Sequence, residues 1–281
     1  MARTEEPRRF TDTALNAVSP QTRRNMEAFA QALIHAEGIL REYHAETPAH
    51  FTGSYPDQMV AIRENARLIF TLTWTKAVLF SRAIIDQVND GNLLAAFQSL
   101  RAYVELVATV RYTVKEMEPL IQEAVESGSV SVDKANTILG KMETLLHGGR
   151  FNWPLYFQQG ASAILDRKRA KRTKEEKQQY ETKSLRIGDC LKAWAKEEPA
   201  SEFIYDYLCD LVHPNKGSNL ILLVERDGHV VFDTSSRSQM GWVIFERIFP
   251  FAASMCLGAM AEIHPFFALM GAEDTNEPLG Q

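Results

Sequence analysis

FIYDYLCDLVHPNKGSN, residues 203–219, holds a helix, its stop and the turn that follows. On a wheel of about 100° per residue, Phe203, Ile204, Tyr207, Leu208, Leu211 and Val212 share one broad apolar face, which is expected to pack into a core. Glu202, Asp206, Asp210 and His213 form a separate line along the same helix. Pro214 cannot continue the hydrogen-bond ladder and biases His213 away from helical geometry. Asn215, Gly217, Ser218 and Asn219 then supply turn chemistry. The line has three readings. It is a solvated acidic face ending in an imidazole that suits the helix dipole; or His213 belongs to a site beside the turn; or Asp206, Asp210 and His213 are metal ligands, though nothing else in the chain has ligand spacing.

Upstream, LLAAFQSLRAYVELVATVRYTVKEM (93–117) reads as a helix that is apolar or small over most of its circumference. Such a helix is buried. Gln98, Arg101, Glu105 and Thr109 fall on one narrow polar strip. Charges on a buried helix must be paired or must line a cavity. The strip is therefore an Arg101–Glu105 edge pair, or the wall of a polar groove or interface.

The rest of the chain reads as further helices. Residues 1–20 are polar and read as a tail, with no signal peptide. Pro20–Tyr43 is amphipathic, with Met26, Phe29, Leu33 and Leu40 among its buried positions. A long helix follows Ser54-Tyr55-Pro56-Asp57 and runs to about Val88, where Asn89-Asp90-Gly91-Asn92 breaks it. Pro119 is expected to end the 93–117 helix, with shorter helices near 119–127 and 132–146. RKRAKRTKEEK (167–177) packs seven basic residues into eleven positions. It reads as a solvated, ion-paired helix or as a nonspecific phosphate contact. Arg186–Lys196 is amphipathic, with Ile187, Leu191 and Trp194 on its apolar side. Leu220–Val224 and Val230–Phe232 are strand-like and flank Asp227-Gly228, a hairpin signal. A hairpin is marginal alone and is expected to pack on the helices. The last helical region, Gln239–Met270, is expected to be interrupted at Pro250 and at Pro265. Residues 271–281 read as a tail.

The fold class is thus mainly all-α, a helical bundle with one small hairpin near 220–233, organised as a single domain over 21–270. The net charge of −5 does not announce a nucleic-acid binder. Three separated cysteines fit a reducing cytosol rather than a disulfide framework. The most membrane-like run, Ile248–Ala261, is shorter than a span and reads as a core helix. No P-loop, dinucleotide fingerprint, nucleophile elbow or zincin motif is present, and no cofactor is implied.

SLRAYVELVATVRY (99–112), followed by YDYLCDLVHPNKGSN (205–219) and a hairpin, resembles bacterial helical families related to the HEPN superfamily, loosely over 57–260. The resemblance implies a compact helical bundle, frequently dimeric, and either a metal-independent ribonuclease of phage-defence or toxin–antitoxin systems or a noncatalytic module binding RNA or protein. The family's signature is an Arg or Asn, four to six residues, then His. His213 matches the His. The window Asp206–Leu208 should hold the Arg and does not. Arg101 is its substitute if the two polar strips face each other. In the ribonuclease reading His213 is general acid or base, Arg101 stabilises charge on the phosphorane, Glu105 orients Arg101, and Asn215 and Lys216 contact phosphate. Gln98, Tyr207, Asp206 and Asp210 complete the candidate binding set.

Overall fold

The computed structural model describes residues 7–44, 58–127, 130–147, 157, 185–214, 216–232 and 238–269. Among these the helices are α1 (Asp12–Asn16), α2 (Pro20–His44), α3 (Gln58–Asn89), α4 (Leu93–Ser127), α5 (Val132–His147), α6 (Ile187–Ala195), α7 (Ala200–Val212), α8 (Lys216–Ile221) and α9 (Gln239–Leu269). One antiparallel hairpin, β1 (Leu223–Arg226) and β2 (His229–Phe232), lies between α8 and α9. The basic stretch 167–177 lies outside the described residues, as does the 271–281 tail.

α4 is the hub. It packs against α3, α5, α6, α7 and α9. α3 turns back into α4 through Asp90-Gly91-Asn92, where Gly91 takes φ 74°, a conformation that costs glycine little. Asn92 then caps α4, its Oδ1 accepting from Ala95 N at 3.2 Å. Phe97, Val104, Val107 and Ala108 on α4 are fully buried, as are Ile84 and Ile85 on α3 and Phe245 and Phe249 on α9. About half of the positions in 93–117 are buried and most of the rest are half-buried, with Gln98 and Glu116 exposed.

Four expectations are corrected. First, Pro119, Pro250 and Pro265 do not end their helices. α4 continues through Pro119 to Ser127, and α9 contains both Pro250 and Pro265. A proline removes one ladder bond. Beyond Pro119, Ile121 and Ala124 are buried, and beyond Pro250, Ala252, Ala253 and Cys256 are buried. Side-chain burial on each far side outweighs one missing bond.

Second, residues 10–16 are not a tail. Phe10 and Ala14 are buried, and Phe10 meets Phe249 edge-on. Thr11 caps α1 by accepting from Ala14 N. Third, the segment after His213 is helical: Lys216–Ile221 forms α8, which takes Leu220 and Ile221 away from the expected strand. The remaining hairpin turns on Asp227-Gly228, both with positive φ (53° and 77°), the geometry that matches strand twist. Fourth, the hairpin is only tethered. Ser238 Oγ donates to Leu223 O at 2.7 Å and accepts from Gly241 N at 3.1 Å, joining β1 to the start of α9. Val230 and Phe232 on β2 are exposed.

Ile248–Ala261, short as a run, sits inside a helix of 31 residues. Gln58–Asn89, Leu93–Ala124 and Gln239–Leu269 are long and apolar enough to cross a membrane by length and composition, and half of each apolar window is buried inside the bundle.

Candidate functional site

α7 packs on α4, and its C-terminal end reaches the polar strip of α4. Gln98, Arg101, Ala102 and Glu105 of α4, with Val212 and His213 at the end of α7, line one open cleft of about 350 Å³. Ile204, Leu208 and Leu211 are buried and hold α7 in place. Phe203 is not part of that face. It is 64 % exposed and meets the Tyr207 ring at a tilt of 44°, centroids 6.1 Å apart. It sits at the edge of the apolar arc, where the neighbouring helix no longer covers it.

Two of the lining residues, Arg101 and Glu105, close a triangle of polar atoms with Tyr205 of α7. Arg101 Nη2 lies 3.0 Å from Glu105 Oε1. Arg101 Nη2 donates to Tyr205 Oη at 3.3 Å. Tyr205 Oη donates to Glu105 Oε1 at 2.8 Å. Burial works against the Arg101 charge, but the bond to Tyr205 and the nearby Glu105 carboxylate more than offset it, and the guanidinium pKa is raised. Burial, with the bond to Glu105, pushes the Tyr205 phenol up to about 12. The phenol is therefore a neutral donor at physiological pH. Arg101 Nε is buried and has no hydrogen-bond partner among the described residues.

His213 stands at the rim and is exposed. Its backbone is extended (φ −82°, ψ 152°), while its N–H still closes the last turn on Cys209 O at 3.1 Å. Pro214 enforces that departure. A helical wheel no longer applies at His213, so it leaves the acidic line and joins the α4 strip. Asp206 and Asp210 stay exposed and do not line the cleft.

Asp210 turns toward the start of α8. A Cβ built on Gly217 would lie 2.1 Å from Asp210 Oδ2 and 2.9 Å from Asp210 O, so only glycine fits there. Among the described residues no group of three or more His, Cys, Asp or Glu side chains is placed to hold a metal ion, and Asp206, Asp210 and His213 form none. Lys216 opens α8 and is exposed. Tyr207 is half-buried and outside the cleft. Asn215 lies outside the described residues. Thr109, at the far end of the strip, bonds Glu105 O at 2.7 Å within its own helix.

The cleft thus unites Gln98, Arg101, Glu105 and His213. It does not include Tyr207, Asp206 or Asp210. Tyr205 is the residue that sequence reading missed. Its signal was available: Tyr205, Cys209 and His213 recur at i, i+4 and i+8, a stripe beside the acidic one.

A second charged cluster was also missed. Arg111, one of the few charged residues buried in the bundle, donates through Nε to Glu262 Oε2 at 2.8 Å and through Nη2 to Glu262 Oε1 at 3.1 Å and Glu197 Oε2 at 2.6 Å. Lys115 adds a 2.7 Å contact to Glu262. Burial opposes the Arg111 charge, and the two carboxylates more than restore it, leaving its pKa raised. Burial would raise the Glu262 pKa, but Arg111 and Lys115 hold it below the usual carboxylate value. The Trp194 ring lies 6.0 Å from the Arg111 guanidinium carbon.

Compared with known proteins, the chain matches no family model, no curated protein and no solved structure.

Proposed function

We propose that this chain is a HEPN-like helical binding or oligomerisation module, noncatalytic, of the kind that serves bacterial defence or toxin–antitoxin systems in the cytoplasm. The observation that carries the noncatalytic reading is the closed Arg101–Glu105–Tyr205 triangle. A cation that stabilises a phosphorane must turn its donors to the phosphate. Here one Nη is shared between a carboxylate and a phenol, and the Glu105 charge cancels much of the field. No Arg stands in the 206–208 window to replace it. What remains is a preformed polar cleft with an imidazole on its rim, which suits recognition of RNA or of a protein, including a second copy of the chain.

A specific observation favours a second reading, a metal-independent ribonuclease: Arg101, Glu105 and His213 share one cleft although more than a hundred residues separate Arg101 from His213. His213 would then move the proton of a ribose 2′-hydroxyl. A metal site at Asp206, Asp210 and His213 gains no support from their placement.

The two readings separate in one experiment. Purified parent and His213→Ala are incubated with defined RNA oligonucleotides and a chelator, while fluorescence anisotropy follows binding and light scattering follows mass. Binding or self-association without cleavage is the expected result. Cleavage by the parent alone, leaving 2′,3′-cyclic phosphate ends, would overturn the noncatalytic reading and install the ribonuclease.

A further inference from the structure

A second cavity lies away from this cleft, between α2, α3, α4 and α9. Its volume is about 340 Å³ and its wall is mostly apolar. Leu33, Trp74, Val78 and Met260 form much of that wall, and all four are buried. An apolar cavity of roughly 150 Å³ is enough to hold benzene, so this one has room for an aromatic ring and more. It falls at the small end of ligand sites, which run from about 300 Å³ upward and pair an apolar wall with a few polar groups.

The polar groups on the wall are few. Ser81 and Tyr103 are buried and bonded to each other, with the phenol pKa pushed up chiefly by burial. The other two are imidazoles. His35 is exposed and so stands at the mouth. His264 is half-buried, with its ring centroid 5.6 Å from that of Trp74 and 5.9 Å from that of Phe70. Among the described residues no Asp, Glu, Lys or Arg side chain lines the cavity. An imidazole ring N–H donates hydrogen bonds. A wall with imidazoles and no carboxylate favours an acceptor or anion and offers nothing to an ammonium group. Trp74 and Met260 favour a ring over a plain chain, through aromatic packing and sulfur–ring contact.

We propose that this cavity binds a small aromatic carboxylic acid, ring inward against Trp74 and Met260, carboxylate toward His35 and His264. The site is independent of the Arg101 cleft and of the function proposed for it.

The test titrates the full chain with 2-naphthoate, 2-naphthylamine, 2-naphthamide and octanoate by calorimetry and by tryptophan fluorescence. Saturable one-to-one binding of naphthoate is expected, at least tenfold tighter than the amine or the amide. A Trp74→Phe variant is expected to lose the fluorescence change while keeping binding within a few-fold. Ala36→Phe at the half-buried wall is expected to weaken binding more than tenfold by filling the space. His35→Gln combined with His264→Gln is expected to bring naphthoate and naphthamide within threefold of each other. Circular dichroism checks that each variant is folded, and Ala36→Leu replaces Ala36→Phe if the larger ring unfolds the chain. No saturable binding at millimolar naphthoate would overturn the proposal, as would amine binding as tight as the acid or indifference to the filled cavity. Tighter binding of octanoate than of naphthoate would overturn the aromatic assignment.

Discussion

Arg101 and Arg111 lie ten residues apart on the same buried helix, and each meets a glutamate and an aromatic ring. Their surroundings differ in one respect. Arg111 is 4 % exposed and held by two carboxylates from two other parts of the chain, Glu197 and Glu262. Arg101 has one carboxylate, from its own helix, and one phenol. A quarter of its side chain is exposed, and its Nε has no partner among the described residues. The first arginine is saturated by long-range contacts and ties α4 to α9 and to the α6–α7 connection. The second is only partly satisfied and faces open space with His213. Residue type and helix are the same; the number of partners supplied from elsewhere separates a structural charge from a candidate site.

The largest expected effect tests the saturated arginine. Glu262→Ala removes the two-pronged partner and leaves a buried guanidinium on Glu197 alone. Breaking a buried pair costs about 3–5 kcal/mol. Because the Glu262 side chain is 39 % exposed, roughly 2 kcal/mol is expected here, after discounting for solvent screening. Urea unfolding followed by circular dichroism measures it. Arg101→Met, judged by the same curve, is expected to cost about 1 kcal/mol or less, the range of a half-exposed pair. If Arg101→Met costs as much as Glu262→Ala, the two arginines are equally structural and the contrast collapses. Arg101→Met should instead appear in binding or self-association, as a loss of tenfold or more.

Tyr205→Phe sharpens the contrast. It opens the triangle while leaving the Arg101–Glu105 pair, and one net hydrogen bond is worth about 1 kcal/mol. Its pH signature is distinct. The folded phenol pKa, about 12, lies above its ordinary value. Its stabilising contribution is therefore complete below pH 10 or so, the ordinary tyrosine pKa, and is lost as the pH climbs toward about 12. Absorbance at 295 nm should show one tyrosine fewer titrating late in Tyr205→Phe.

The smallest expected effect is on the acid side. The folded Glu262 pKa is depressed. Its contribution is present above the ordinary carboxylate pKa and fades as the pH falls through the lower, folded value. Stability measured from pH 6 downward should fall less steeply in Glu262→Gln than in the parent. An identical slope would mean that Arg111 and Lys115 do not hold that carboxylate in solution.

Several features were legible in the chain before any contact was known. The helices over 20–44, 58–89 and 187–195, the break at Asp90-Gly91-Asn92, the Asp227-Gly228 turn and the stop at His213-Pro214 rest on periodicity and on residues with strong local geometry. Gln98, Arg101 and Glu105 were legible as a strip because charges on a buried helix are conspicuous. Tyr205 was harder, because a tyrosine among apolar residues reads as core until something meets its hydroxyl. Arg111 was hidden for the opposite reason: its carboxylates lie 86 and 151 residues away.

By itself, then, the sequence determined the helical class, the single hairpin and the end of the helix at His213, since backbone preferences and hydrophobic period act over a few residues. Tertiary structure alone decided that α4 and α9 pass through their prolines, that His213 shares a cleft with Arg101, and that Tyr205 closes on Glu105. Each of those outcomes is set by burial and by partners distant in the chain. No local pattern encodes which of two paired arginines will be enclosed and which left at the edge of a cleft.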